Sequence, residues 1–212
     1  MVAVKVWLGG EGPSELGNRH DGGDEPGVLE ALLQKIEPQG WNADGATLWR
    51  RIRKYRANIV DRGGENHQDI HNVMGLALAA SEAGCEVLAF TRDADSDEGR
   101  ADAIRKGIAA ARREYPTVLI VGGLARPAIE GWIVALHGGS GTDAMSRARA
   151  REALSEREIE EGRHHFVAVV EAANVEQLPN GCESLCEWIA EARNCLGTAI
   201  RGSVPGSEAD ND

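Results

Sequence analysis

The fold is decided by residues Glu86–Glu98, which read EVLAFTRDADSDE. The first half, Val87–Thr91, is a short run of apolar and β-favouring residues that follows Gly84. A continuous run of this length predicts a strand that is buried on both faces. The second half places acidic residues directly after that strand. Open α/β sheets bind ligands outside the carboxyl ends of their strands, so these acids stand where a functional site is typical.

The acids of this segment are candidate metal ligands, and they are Asp93, Asp95, Asp97 and Glu98. Asp93 and Asp95 are two residues apart, so in an extended chain their side chains project to the same side. Carboxylates crowded in this way repel one another unless a cation lies between them, and hard oxygen ligands suit Mg²⁺ or Mn²⁺. The alternative is a solvated acidic turn that caps the following helix, since acids also favour a helix's first turn.

Two further segments place carboxylates after strands. The run VAVKVWL, Val2–Leu8, predicts the first strand, and Glu11 and Glu15 follow it. If that turn becomes helical, the spacing of four puts both acids on one face. The run TVLIV, Thr117–Val121, predicts another buried strand, and Glu130 follows inside the apolar segment AIEGWIVAL. A carboxylate buried there needs a cation or strong hydrogen bonds. In both places an acid that faces water in a loop or helix start is the alternative.

Strand and helix patterns alternate along the chain, which predicts an α/β fold with a mainly parallel sheet flanked by helices. We expect the three predicted strands to be neighbouring inner strands of that sheet. The character of the sequence then changes. We expect an α/β domain over residues 1–140, a helical appendage over 141–204 and a disordered acidic tail over 205–212.

Composition limits the classes of function. The 212 residues carry a formal net charge of −11, and only 4% are aromatic. The charge argues against binding nucleic acid by bulk attraction, and the aromatic content argues against a base-stacking platform. Neither excludes a nuclease, because an acidic metal site can coexist with local basic patches. The densest basic cluster is Arg50, Arg51, Arg53, Lys54 and Arg56, which suits phosphate contacts, a solvated face or an acidic partner.

The sequence also carries an expectation about its compartment. No apolar run approaches the length of a membrane span, and the start MVAVKVWLGGEG lacks the layout of a secretory signal. The four cysteines are too few for a disulfide scaffold and fit reduced thiols. We therefore expect a cytoplasmic protein that does not associate with a membrane.

Taken together, the acidic segments resemble the TOPRIM domain, which topoisomerases, bacterial primases and OLD-family nucleases share. Glu11 in GGEGPSE matches the Glu after that fold's first strand, and Asp93 and Asp95 in RDADSD match its DxD. Glu15 and the segment PAIEGW, residues 127–132, are similar to a bacterial TOPRIM-like family of unknown function. That family has an alanine where Gly131 stands here, a change between small residues that we expect to be harmless. The resemblance covers about residues 2–137.

The resemblance implies a TOPRIM-like sheet and a metal-dependent nuclease with Mg²⁺ or Mn²⁺ as its cofactor. The implied metal ligands are Glu11, Glu15, Asp93, Asp95, Asp97 and Glu130, and the implied catalytic residues are Glu11, Glu15, Asp93, Asp95 and Arg92. Glu11 or Glu15 would be a general base or a further ligand. The chain has no Lys clearly placed beside the acids, unlike some OLD nucleases. Arg92 or Arg126 is the candidate for that cationic role.

The resemblance also implies partners. Nucleic acid, DNA or RNA, is the expected substrate. OLD-class TOPRIM domains are fused to an ATPase, whereas this sequence has no GK[ST] phosphate loop. We therefore expect an effector of a bacterial antiphage defence system that works with a separate ATPase or sensor subunit, and that can form a homo-oligomer. One alternative is a non-catalytic TOPRIM-like regulatory or interaction subunit. Another is a phosphoryl-handling receiver or phosphatase, which is disfavoured because no Asp-led nucleophile motif follows the first strand.

Overall fold

The computed structural model describes residues 3–52, 67–95 and 99–203. Several residues of interest lie outside the described residues: Asp97, Glu98, the basic residues Arg53, Lys54 and Arg56, and the expected tail at 205–212. Among the helices of the described part of the chain, none is both long and apolar enough to cross a membrane.

Strands and helices alternate through the first two thirds of the chain, and helices follow. The elements are β1 (Val4–Gly10), α1 (Pro13–Leu16), α2 (Val28–Ile36), β2 (Trp41–Leu48), α3 (His67–Glu82), β3 (Val87–Asp93), α4 (Arg100–Glu114), β4 (Leu119–Ala125), α5 (Ile129–Leu136), α6 (Arg147–Glu156), α7 (Arg163–Ala172) and α8 (Glu183–Gly202). Short 3-10 turns lie at Arg19–Asp21, Trp49–Arg51 and Thr142–Ala144.

The four strands form one parallel sheet with the order β2-β1-β3-β4. Val87 of β3 pairs with Val6 of β1 on one side and with Leu119 of β4 on the other. The predicted α/β class is therefore confirmed, as is the parallel pairing of the three predicted strands. Their carboxyl ends lie further along the chain than predicted, at Gly10, Asp93 and Ala125. The first acid of the DxD motif is thus the last residue of a strand.

The fourth strand, β2, was not predicted; it lies at one edge of the sheet beside β1. β4 forms the other edge, so the expectation that all three predicted strands are inner strands is wrong for β4. In the first half of β2, exposed Asn42 and Asp44 alternate with half-buried Trp41 and Ala43. Such a strand has too few apolar residues to stand out in a sequence. Its pairing with β1 shifts register next to Trp7.

Strand side chains alternate between two hydrophobic cores. Val87, Ala89 and Val121 belong to the core shared with α2, α5, α6, α7 and α8. Leu88, Phe90 and Ile120 belong to the core shared with α3 and α4. Because helices cover both faces, β3 is apolar on both sides, which is why its sequence is a continuous apolar run.

The C-terminal helices share the core of the sheet. Leu185, Ile189 and Leu196 of α8 are buried in the same cluster as Val6 and Leu8 of β1. The Trp188 Nε1 group donates a hydrogen bond to the backbone oxygen of Phe90 in β3, at 3.0 Å. The segment expected as a helical appendage therefore packs directly on the sheet and on α2.

Candidate functional site

A cleft of about 400 Å³ lies beyond the carboxyl ends of β1 and β3, between the start of α5 and the helices α6 and α7. Acidic and basic side chains line it together: Glu11, Glu15, Asp93, Glu130, Glu161, Arg147 and Arg151. Four of the predicted site residues therefore meet in one place, as expected for acids that follow neighbouring parallel strands.

The turn after β1 supplies Glu11 and Glu15. The backbone N–H of Gly12 donates a hydrogen bond to Glu15 Oε2 at 3.0 Å, which fixes the first turn of α1. Glu15 is only 4% exposed. Burial foremost, and then the nearby charges of Asp93 and Glu11, raise the pKa of Glu15 to about 8. This carboxyl group therefore holds its proton near neutral pH when no cation is present.

Asp93 ends β3 and joins three elements. Its Oδ1 accepts a hydrogen bond from the N–H of Ile129 in the first turn of α5, at 3.0 Å. Its own N–H donates to Glu11 Oε1, also at 3.0 Å. The side chain is 2% exposed, and burial followed by the charge of Glu11 raises the pKa of Asp93 to about 7. Glu11 and Asp93, two of the predicted acids, are thus in direct contact where β1 and β3 end.

Asp95 lies in the turn beyond β3 with a φ of 46°, a left-handed conformation that Asp tolerates better than most residues. Its N–H donates to the backbone oxygen of Pro127 at 3.0 Å, which ties this turn to the one after β4. The Asp95 carboxylate is half-exposed and lies 2.8 Å from Arg100 Nη1 and 3.2 Å from Arg147 Nη1. It therefore sits at the outer side of the cleft.

Glu130 is the second residue of α5 and is 4% exposed. Its Oε1 lies 3.4 Å from Arg147 Nε and 3.0 Å from Arg151 Nη2. Its Oε2 is buried and has no hydrogen-bond partner among the described residues. A buried carboxylate oxygen without a partner is costly, so this atom is available for a ligand.

Two arginines of the cleft were missed by the sequence reasoning. Arg147 and Arg151 are four apart at the start of α6, whose N-cap is Ser146. The Arg147 guanidinium contacts three carboxylates, those of Asp93, Asp95 and Glu130. The spacing of four in SRARAREA was a readable signal for one helix face. The spacing does not indicate which part of the fold this helix face packs against, because that depends on tertiary structure.

A second network supports the acids from the α3 side of the sheet. Arg92 forms an ion pair with Glu11 and lies 5.5 Å from the centre of the Trp49 ring. Asp69 of α3 is buried and lies 3.6 Å from Arg92 Nε and 3.3 Å from Arg100 Nε. Asp69 and Arg100 were not predicted either. Arg126 is exposed and lines a separate groove between α4 and α8.

The donor chemistry of the cleft fits a hard divalent cation. Every acid in it offers carboxylate oxygens, and the free Oε2 of Glu130 is buried. Burial first, and then the neighbouring carboxylates, raises the pKa of Asp93 and of Glu15. However, within the described ranges no three His, Cys, Asp or Glu side chains are gathered as a metal-binding group. Arg147 lies among the acids instead.

Gly131, which stands where the resembled family has an alanine, is closely packed against the turn before α5. A Cβ atom built at this position would lie 2.5 Å from the backbone oxygen of Arg126 and 2.7 Å from Pro127 Cδ. Real Cβ atoms do not approach other atoms so closely, so the glycine allows α5 to pack against the turn that precedes it. That packing holds Glu130 at the cleft.

The cysteines lie elsewhere in the fold. All four are free, and Cys85, Cys182 and Cys195 are buried. The Cys182 and Cys186 sulfurs are 3.8 Å apart at the start of α8.

Comparisons with known proteins add no relative: no protein-family model matches the chain, and neither the curated proteins nor the solved structures contain a significant match.

Proposed function

We propose that this protein is a metal-dependent nuclease of the TOPRIM type, which hydrolyses phosphodiester bonds of DNA or RNA with Mg²⁺ or Mn²⁺. One observation carries the proposal. Glu11, Asp93 and Glu130 meet in a cleft at the carboxyl ends of parallel strands, together with Arg147 and Arg151. Carboxylates suit a divalent cation, and guanidinium groups suit a phosphate.

The candidate cation ligands are Glu11, Asp93 and Asp95, with Glu15 and Glu130 adjoining them. A bound divalent cation would supply neutralisation of the phosphate charge and a lower pKa for an attacking water. Glu15 is buried, and its pKa of about 8 lies close enough to neutral pH for the carboxyl group to take up and release a proton. Arg92 pairs with Glu11 and so orients it.

The arginines of α6 supply the contacts for the substrate. The side chains of Arg147 and Arg151 are 40% and 48% exposed, so their guanidinium groups reach solvent while they also contact the acids. A guanidinium group binds two phosphate oxygens at once and so orients the phosphodiester against the acids.

The proposal includes a partner. By its resemblance to the OLD class, the chain would be the effector of a bacterial antiphage defence system and would act with a separate ATPase or sensor subunit. Arg50 and Arg51, at the described end of the basic cluster, are exposed, and Arg51 also pairs with Asp21. Co-purification from the native operon tests this point, and isolated protein that cleaves at full rate with no bound neighbour would oppose it.

The test of the activity is the substitution Asp93→Asn. Asn keeps a side-chain oxygen that can accept the hydrogen bond from Ile129 N–H but removes the charge. We expect Mn²⁺-dependent cleavage of DNA and RNA oligonucleotides to fall by roughly 100-fold or more, in line with the loss of one essential electrostatic group. The control is Asp102→Asn on α4, a half-exposed acid that pairs with Arg105 and Lys106 and should leave cleavage unchanged.

Two results would remove the nuclease proposal. The first is wild-type protein that is folded, binds no Mn²⁺ and cleaves neither DNA nor RNA. The second is cleavage by Asp93→Asn at the wild-type rate, with the same sensitivity to EDTA.

A second candidate is a non-catalytic TOPRIM-like regulatory or interaction subunit. The observation that favours it is that arginines already pair with the acids, as in Glu11 with Arg92, Asp95 with Arg100 and Glu130 with Arg151. The acids would then only hold the structure together. In that case Asp93→Asn changes the free energy of unfolding but no metal-dependent property.

A further inference from the structure

We propose that Arg147 is a built-in counter-ion that competes with the divalent cation for the acids of the cleft and contacts the substrate phosphate once the cation is bound. This inference rests on the proposed function, because it concerns the same site. According to this inference, Arg147 weakens the binding of the cation but speeds cleavage of the substrate.

The geometry of the guanidinium group supports the first half of the proposal. Nη2 lies 3.1 Å from Asp93 Oδ2, Nη1 lies 3.2 Å from Asp95 Oδ1, and Nε lies 3.4 Å from Glu130 Oε1. One positive group therefore spans three carboxylates that come from two different strand ends. A divalent cation bound by Asp93 and Asp95 would therefore have to displace this group from them.

The burial of the acids explains why a positive charge is needed there at all times. The side chains of Asp93 and Glu130 are 2% and 5% exposed, so water does not solvate their charges. Two buried carboxylates without a compensating charge are strongly unfavourable. Before a metal ion binds, Arg147 provides that charge for Asp93, and Arg147 and Arg151 together provide it for Glu130.

The Arg147 side chain can move away from the acids without disturbing α6. It is the first residue of α6, and that helix start is held by Ser146, whose Oγ accepts a hydrogen bond from Arg149 N–H at 3.2 Å. The Arg147 side chain is 40% exposed. Rotation of this side chain toward solvent breaks no backbone contact of α6.

A cation and a guanidinium group repel each other at the same set of acids. Loss of the Arg147 charge should therefore strengthen cation binding, while loss of its phosphate contact should slow cleavage. If Arg147 only stabilised the fold, its replacement would not combine tighter cation binding with slower cleavage. Arg151 does not fit the role, because it contacts Glu130 and Glu161 and no DxD acid among the described ion pairs.

The experiment compares Arg147→Gln with Arg149→Gln. Arg149 is on the same helix, carries the same charge and pairs with Glu152 and Glu156, away from the cleft. We expect Arg147→Gln to lower the Kd for Mn²⁺, measured by calorimetry without substrate, by roughly tenfold, since unit charges about 4 Å apart interact strongly at a protein surface. The same variant should show a lower kcat on an oligonucleotide. Arg149→Gln should change neither value.

The outcomes separate the two proposals. Wild-type binding of Mn²⁺ with equal or weaker binding by Arg147→Gln overturns the counter-ion role and leaves the nuclease proposal standing. No Mn²⁺ binding by either protein overturns both. Arg147→Lys keeps the charge and tests the role even if Arg147→Gln fails to fold. Its Kd for Mn²⁺ should stay near the wild-type value, and a tenfold tighter Kd for this variant would contradict a role that depends on charge.

Discussion

Glu15 and Asp93 are buried carboxyl groups whose surroundings disfavour the charged form. Their pKa values of about 8 and about 7 both exceed the ordinary values of 4.5 and 3.8, foremost because burial removes hydration. Between the ordinary and the raised pKa the folded chain binds more protons than the unfolded chain. Stability from these groups is therefore fully present at low pH and is lost as the pH rises through the raised values.

This gives a prediction for Glu15→Gln. In EDTA, the free energy of unfolding of the wild type should decrease between about pH 4.5 and pH 8, and the variant should show a shallower decrease. Each unit of pKa difference is worth about 1.4 kcal/mol, so Glu15 contributes on the order of 3–5 kcal/mol across that range. Urea unfolding at several pH values measures it.

The control for that measurement is Glu171→Gln, an exposed acid of α7. It should follow the wild-type curve. A wild-type curve in EDTA with the same slope as that of Glu15→Gln between pH 5 and pH 8 would contradict this contribution of Glu15.

The cleft residues that were predicted from the sequence share one property: each follows a strand that can be recognised from its own residues. Glu11, Asp93 and Glu130 come after apolar runs, and the position of a strand end follows from the run itself. Arg147 and Asp69 carry no such marker, because they reach the acids from helices whose placement depends on tertiary packing. The chemistry of the acids was therefore predictable, but their positive partners were not.

At the scale of elements, the start of α5 is fixed by contacts at three consecutive residues. Ile129 N–H donates to Asp93, Glu130 points to the arginines, and Gly131 packs on the preceding turn. The helix is therefore placed by the same strand end that carries the candidate site. A small change in the packing of α5 should therefore change the geometry of the cleft.

We therefore predict that Gly131→Ala destabilises the fold. The new Cβ would approach the backbone oxygen of Arg126, and relief requires a backbone shift of the kind that typically costs about 1–3 kcal/mol. That cost should exceed any gain in helix propensity, which is at most about 1 kcal/mol. Thermal unfolding measures the difference, and cleavage should fall with it because Glu130 moves.

Gly123→Ala in β4 is the matched control, since a Cβ there would meet no atom within 4 Å. It should leave the melting temperature within a few degrees of the wild type. Equal effects of the two substitutions would show that loss of a glycine in general, and not the contact with Arg126, controls stability.

The elements themselves were predictable where their burial is complete. β3 is covered on both faces and reads as a continuous apolar run, so it was found together with both of its neighbours. β2 is an edge strand with exposed Asn42 and Asp44, and its local sequence resembles a loop. Because β2 adds a strand beyond β1, the sheet has an edge that the sequence did not indicate.

At the scale of the molecule, the described chain has two cores, one on each face of a single sheet. The larger core includes residues from β1, α2, α5 and all three C-terminal helices. Trp132 of α5 and Trp188 of α8 meet there with ring centres 5.8 Å apart. The sequence indicated helices after residue 140 but not the face that they cover, since an amphipathic helix does not specify its partner.

The last prediction concerns the fragment 1–140. It lacks α6, α7 and α8, so the side of the sheet that carries Val87, Ala89 and Val121 would lose much of its cover. It would also lose Arg147, which compensates the buried charges of Asp93 and Glu130. We expect this fragment to lack cooperative thermal unfolding and dispersed NMR signals. The fragment 1–203, which keeps every described element, should unfold cooperatively like the full chain. If the fragment 1–140 folds with a sharp transition, residues 141–204 are a separable appendage, and the contacts of α8 with the sheet then contribute little to stability.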